Sequence, residues 1–576
     1  MSQPVSLPIQ EGKHPRGLYV LFFTEMWERF GYYLMIGIFF LYLTDTIGHG
    51  GRGMDNVSAI SIVGTYVALI YLTPFLGGLI ADRILGYAKS IFLGGALLAL
   101  GYFLIALNGS DTIMYLGLLS AIVGNGFFKP NISTLLGNIY NRADLRPKKD
   151  IAYNIFYMGI NIGAFICNFV AAYLHNKYQD QNGWGIAFSA AGFGMVLSVI
   201  WFAFGLKHVK HADVIKPVQE GDMPISQIFV KVFLPAMIAG VIGWFLPAVV
   251  YKLTGWWFKS SLDILGTNSN DAFIFACIPI IIFYFSLWHR AKGFERKRIS
   301  TLLILFGVSI IFWNIYNQNS TALTIWAQTY TDREAPKVIQ PALKPFGFLE
   351  SVNTKPTEVP VVDEQFRPQS DAKGKVMTKQ GTDLYFQNLP KDKYPPEGKD
   401  LKLISTEIYQ SVNPFWIIVL TPIVVAFFAW RQRIGKTLST PSKFAWGTLI
   451  AGLSSVVMIA ACLVTNIYFN KVSSWWLVSS YGVFTISELF VSPVGLSLTS
   501  KVAPRRLTAL MMGGWFITTS LGGKVSGILA GFWDKFDNKA VFFAISAVAA
   551  IIACFLLLPL TKRLNKVVEE AATSDD

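Results

Sequence analysis

The chain has 576 residues, of which 53% are hydrophobic and only 15% charged, and its mean hydropathy is +0.46. A soluble protein carries roughly a quarter charged residues, and repeated apolar runs of about 20 residues point instead to an all-α polytopic membrane protein. The net charge of +14 does not argue for nucleic acid, because the basic residues sit in short loops between the runs, as topology determinants do.

The first apolar run, from about 18 to 43, is long enough to cross a bilayer as one helix. It nevertheless carries Glu25, Glu28 and Arg29 in its middle, and ionisable side chains so deep in a span mark function by default. On a helix the three fall at i, i+3 and i+4, on a face that continues through Tyr32 and Ile36. The structural alternative is a self-neutralising cluster that merely holds two helices together. Further runs centre on 57–80, 88–107, 113–138, 151–174 and 184–206, followed by a pair at 228–250 and 271–289. The last six lie at 299–328, 412–430, 444–468, 474–498, 509–532 and 540–560, which makes fourteen transmembrane helices in all. The expected division is a six-helix bundle over 1–206, an inserted helix pair with linkers over 207–298, and a second six-helix bundle over 299–576. Within the last, 329–410 is an extracytoplasmic insertion rich in Pro, Lys, Asp and Gln, and is expected to be a loosely ordered cap.

Alternate loops concentrate the cations. One set holds Arg83 and Lys89, then Arg142, Arg146, Lys148 and Lys149, and later Lys501, Arg505 and Arg506; the opposite set is sparse. A bias of roughly three or four to one places both termini in the cytoplasm. No basic, short apolar and small-residue leader precedes the first run, so a cleaved signal peptide is not expected. Cys167, Cys277, Cys462 and Cys554 fall within apolar runs at unrelated spacings, which suits neither a metal site nor a disulfide framework.

Besides the first cluster, the interior runs hold Lys129, Glu488 and Lys524 as ionisable residues. Lys129 precedes Pro130 in mid-helix and needs a carboxylate partner, which the first helix can offer. Glu488 is the carboxylate of the second half's interior and readily takes up a proton when alone. Lys524 either snorkels outward or serves function, and both readings stay open. All six histidines lie in loops or at helix ends, so a proton relay inside the membrane runs on carboxylates. With no metal cluster among membrane histidines and no Ser–His–Asp arrangement, an enzyme is not expected. Tyr66, Tyr157, Asn161, Trp313, Asn317, Gln318 and Asn413 add polar and aromatic groups from both halves, and together they describe a mid-membrane cavity of the kind secondary transporters use.

Four motifs carry a family resemblance. Glu25-x-x-Glu28-Arg29-Phe30-x-Tyr32-Tyr33, Phe128-Lys129-Pro130-Asn131, the stretch Phe156–Ala164 and the stretch Glu488–Ser497 resemble, in order, signatures of the proton-dependent oligopeptide transporter (POT) family within the major facilitator superfamily. Gly77-Gly78-Leu79-Ile80-Ala81-Asp82-Arg83 is similar to the cytoplasmic gating loop of the wider superfamily, with Asp82 and Arg83 as its charged pair. The resemblance implies the major facilitator fold and symport of di- and tripeptides with protons by alternating access. It implies no cofactor beyond the proton, short peptides and the lipid bilayer as partners, a functional monomer, and the bacterial cytoplasmic membrane as location. Glu25 and Glu28 would exchange partners between Arg29 and Lys129 as protons bind and leave. Lys129 would hold the peptide carboxylate; Glu488, with Asn161 and Asn413, would hold the amino terminus. Tyr32, Tyr33, Tyr66 and Trp313 would line side-chain pockets, with Gln318 among the polar contacts. Ile36 and Asn317 depart from the family, which commonly has an arginine and a glutamate there. Losing both charges is electrostatically coherent. It keeps open a modified peptide or other small amide as substrate, while a drug/proton antiporter is the further alternative.

Overall fold

In the computed structural model, which describes residues 14–142, 144–214, 224–254, 265, 267–371, 375–396, 398–504 and 507–573, each apolar run but one becomes a single long helix. The first six are α1 (Arg16–Thr44), α2 (Asn56–Ile80), α3 (Tyr87–Ala106), α4 (Asp111–Ile139), α5 (Lys149–Lys177) and α6 (Gly183–Gly205). The inserted pair is α7 (Leu234–Thr254) and α8 (Asn268–Arg290). The last six are α9 (Gly293–Asn317), α10 (Val412–Arg433), α11 (Thr440–Val464), α12 (Ser474–Val502), α13 (Thr508–Gly531) and α14 (Lys539–Leu557). Among the described residues, 11 helices are long and apolar enough to cross a membrane. The three others of this set, α1, α12 and α13, are those that carry Glu25, Glu28 and Arg29, Glu488, and Lys524. The loop cations Arg505 and Arg506 lie outside the described residues.

The first six helices pack mainly on one another, α1 against α5 and α6 and α3 against α4 and α6. In the last six, α11 packs on α12 and α14, and α9 on α13. The two sets meet along α2 with α13 and along α5 with α10, while α8 touches α2, α9 and α13. Where α2 crosses α13, a Cβ on Gly527 would lie 3.0 Å from the Gly64 Cα, so both positions need glycine for the backbones to approach this closely.

Two helices carry proline near the site, and each proline frees a backbone carbonyl. Pro74 in α2 removes the hydrogen bond to the Ile70 carbonyl, which instead accepts from Asn125 Nδ2 at 2.7 Å. Pro130 in α4 does the same to the Gly126 carbonyl, which faces Gly77 so closely that a Cβ there would fall 1.9 Å away. These two crossings fix α2 against α4 and so set the position of Lys129.

The run expected at 299–328 is not one helix. It breaks in a 3-10 turn at Gln318–Ser320 and resumes as a short helix, Ala322–Thr329. The 329–410 segment, expected to be loosely ordered, is a folded cap. Strand β2 (Leu349–Val352) pairs antiparallel with β5 (Leu401–Ile404), and β3 (Thr357–Pro360) with β4 (Thr378–Gly381). A two-residue strand, β1 (Thr331–Asp332), pairs in parallel with β6 (Val472–Ser473) ahead of α12. Val352, Tyr385, Phe386, Leu389 and Leu403 form a small core. Arg333, 4% exposed, ties it together by donating from Nη1 to Glu350 Oε2 at 2.7 Å and to the Ile404 carbonyl at 3.0 Å. Strands of four residues and scattered apolar positions leave almost no periodic signal, which is why composition suggested disorder.

Candidate functional site

A cavity of about 270 Å³ lies between the two sets of helices, and both contribute to its wall. From α1 come Glu25, Arg29, Tyr32 and Ile36 of the stripe expected from helical spacing, together with Tyr33, while Glu28 is not in the wall. Arg29 is the centre of this stripe. Its Nη2 donates to Glu28 Oε1 at 2.8 Å and its Nε to Glu28 Oε2 at 2.5 Å, a two-pronged pairing, while Glu25 Oε1 lies 3.2 Å from the same Nε. All three are buried, Glu28 completely, and Glu25 Oε2 is left without a partner. Two carboxylates therefore share one guanidinium in a low dielectric, an arrangement whose balance changes with a single proton.

Lys129 reaches the cavity from α4, half-buried, with Nζ 3.8 Å from the centre of the Tyr71 ring. No ion pair joins it to a carboxylate among the described residues; the expected exchange partners, Glu25 and Glu28, both sit on Arg29. An ammonium held over an aromatic face keeps its charge stabilised and remains open to an anion.

Glu488 lines the cavity from α12, in the second set of helices. Asn413 Nδ2 donates to its Oε2 at 3.1 Å and the Tyr157 hydroxyl approaches Oε1 at 3.5 Å. Asn413 also donates to Thr485 Oγ1 at 2.9 Å, which fixes the amide. Asn161 lines the cavity too, but its Nδ2 is taken by the Tyr157 carbonyl at 2.9 Å, so it does not touch Glu488 through that group. Trp313 lines the wall with its indole Nε1 unpartnered, and Ser492 Oγ and Asn168 Oδ1 are likewise unmatched. Buried polar atoms left open around one cavity indicate groups for a ligand to satisfy.

Two expected contacts lie elsewhere. Tyr66 is 2% exposed and packs toward Phe39 behind the wall. Gln318 is buried in the turn after α9 and donates to Ser546 Oγ at 2.7 Å. Ile36 and Asn317 both line the cavity, the latter with its amide donated to the Trp313 carbonyl at 2.7 Å. Asp82 and Arg83 sit in the π-helical turn Ala81–Leu85 that ends α2, away from the cavity, where Asp82 Oδ1 accepts from the Tyr87 hydroxyl at 2.5 Å. Sequence reasoning missed Tyr71, Tyr316 and Trp515 in the wall. Tyr316 stands one turn from Trp313 and was accessible to the same helical argument.

On the cap side the cavity is roofed across the two sets of helices. Asn168 Nδ2 of α5 donates to Ser411 Oγ at 3.2 Å, and Ser411 Oγ donates to the Phe165 carbonyl at 2.8 Å. On the second set, Gln410 Nε2 reaches Thr324 Oγ1 at 2.7 Å, and Tyr481 bonds Asn319. Along α2 and α13, Lys524, completely buried, donates to Thr65 Oγ1 at 2.6 Å. It does not snorkel.

The chain is 30% identical over 561 residues to the uncharacterized transporter YclF of Bacillus subtilis (strain 168), covering 96% of this chain and 95% of that one. It is 28% identical to dipeptide and tripeptide permease A of Escherichia coli (strain K12), covering 98% and 96%. The crystal structure of a peptide transporter POT in complex with sulfate superposes with a TM-score of 0.71 at 26% identity, covering 96% of each chain, so the fold is that of the major facilitator superfamily. The sequence model of the POT family matches residues 88–348 and 400–550, well over half of the chain, which therefore belongs to the POT family of proton-dependent oligopeptide transporters.

Proposed function

We propose that the protein is a proton-coupled symporter that imports di- and tripeptides by alternating access. The observation that carries this is that Lys129 of α4 and Glu488 of α12, one from each set of helices, line one cavity. A zwitterionic peptide needs a cation and an anion facing each other, and these two come from different halves, so binding draws the halves together. The names of the relatives support the substrate class. Lys129, unpaired with any described carboxylate, takes the peptide carboxylate; Glu488, steadied by Asn413 and Tyr157, takes the amino terminus. Protonation of Glu25 or Glu28 loosens the shared hold on Arg29 and lets the remaining carboxylate redistribute between Arg29 and Lys129. We also infer a monomer in the bacterial cytoplasmic membrane, with both termini in the cytoplasm, built as 1–206, 207–298 and 299–576, and with Asp82 and Arg83 gating the cytoplasmic end.

Uptake of dialanine into proteoliposomes under an inward proton gradient tests the reading. Wild type accumulates the peptide, while Glu28→Gln and Lys129→Ala lose proton-driven accumulation yet remain folded. Accumulation at wild-type rate in either variant overturns the pairing scheme. A second reading is favoured by Ile36 and Asn317, which put neutral side chains on the wall: a peptide whose carboxylate is modified. It prevails if dialanine neither competes for uptake nor shifts thermal stability while its amide does both.

A further inference from the structure

Above the cavity roof, His175 at the cap-side end of α5 meets Glu407 in the 3-10 turn Thr406–Ser411 that leads into α10. Its Nδ1 lies 2.8 Å from Glu407 Oε1, and the side chains are 13% and 5% exposed. The imidazole stacks on Trp184 of α6 with ring centroids 3.7 Å apart, and the indole Nε1 donates to Asp45 Oδ2 at 2.8 Å just after α1. Next to it, Asn176 Nδ2 donates to Ser405 Oγ at 2.6 Å and to the Gly347 carbonyl at 2.9 Å. His175, Trp184 and Asp45 belong to the first set of helices and Glu407 to the second, so this contact closes the cap side across the two.

Because an ionised Glu407 only accepts, His175 Nδ1 carries the hydrogen whatever the charge of the ring. A second proton goes to Nε2, which is buried without a partner. The contact is then a hydrogen bond from a neutral ring in one state and a full ion pair in the other, and the latter is the stronger. The other charges that face the imidazole are Asp45 after α1 and Glu350 of β2, with Arg333 of the cap facing Glu407. Swinging the cap side open must separate His175 from Glu407 and place both in water, where an imidazole titrates near pH ~6.5.

We propose that His175 is a second proton-binding site of the transporter, on the cap side, whose protonation at Nε2 tightens a latch with Glu407 between the two bundles. The proton enters and leaves from the cap side and is not carried across; acid on that side favours closure and so raises the rate at which loaded carriers turn. The proposal rests on the alternating-access reading but not on the identity of the substrate.

Spin labels at Asp180→Cys and Asn470→Cys, exposed on the cap-side loops of the two sets, report the separation by pulsed electron resonance in nanodiscs without peptide. In the labelled wild type, acidification from about pH 7.5 to about pH 5.5, across the ordinary imidazole range, shifts the distribution toward the shorter distance. In His175→Gln that shift is lost. Dialanine-induced thermal shift on the same samples shows whether the variant is folded and reports separately on the transport reading. If His175→Gln is unfolded, Glu407→Gln replaces it, with the same loss expected. An acid shift that persists in the folded variant, or that is absent from the wild type, overturns the latch; a merely structural contact would lower stability and leave the shift in place.

Discussion

Glu488 and Lys129 face the same cavity but are held differently, and this decides how each substitution acts. Glu488 is fixed by Asn413 and Tyr157, whereas Lys129 rests on the Tyr71 ring. Glu488→Gln should weaken binding of free-amine peptides about tenfold or more, the scale of a hydrogen bond to a charged group, and affect N-acetylated peptides little. Calorimetric titration with both ligands checks this, and equal losses count against its role. In the cap, desolvation pushes the Asp383 carboxyl above its ordinary range, and Glu350 adds to the effect against the Tyr385 backbone N–H, Arg333 and Lys471. The folded state then holds that proton more tightly than the unfolded chain. Stability is fullest below the ordinary carboxylate range and falls as pH rises through the raised value. Asp383→Asn keeps an oxygen for the Tyr385 N–H and should raise Tm near pH ~7 but not near pH ~4, read by thermal shift in detergent. At this scale the charged stripe of α1 was legible because its spacing and its cost in a membrane are both visible in the sequence. Tyr66 was chosen where Tyr71 stands in the wall, because which face of α2 meets the cavity depends on its crossings with α4 and α13.

Among the elements, α2 shows how a membrane helix tolerates proline. Asn125→Leu should leave the Ile70 carbonyl unanswered and cost about 1–3 kcal/mol, seen as a lower Tm; replacing Pro74 by Ala in the same background should restore part of it. If Asn125→Leu leaves Tm unchanged, the carbonyl is satisfied in some other way. The helices themselves were readable from length and hydropathy, since a bilayer demands both. The break at Gln318–Ser320 was not read, although the polar run Asn317–Thr321 marks it, because the apolar residues on either side average into one continuous span. The cap strands escaped for the opposite reason: four-residue strands in a polar segment leave no pattern to read.

For the whole molecule, the seam of α2 with α13 brings the two sets into close backbone approach at Gly64 and Gly527. Gly527→Leu should overpack this seam at about 1–3 kcal/mol and slow dialanine counterflow more than it weakens dialanine binding. Equal effects on both would show that the seam supports the cavity rather than the motion. The cap touches both sets of helices. It is joined to the second set by the β1–β6 pairing and by Arg367, which donates to the Asp534 carbonyl at 3.1 Å. It meets the loop after α1 through the Met54–Lys375 bridge and the Val376 N–H, which donates to the Gly53 carbonyl at 3.0 Å. These few bonds leave the carrier with a handle outside the cavity: an antibody fragment that clasps the β3–β4 pair together with residues 46–55 would hold the cap side shut and arrest the cycle without touching substrate.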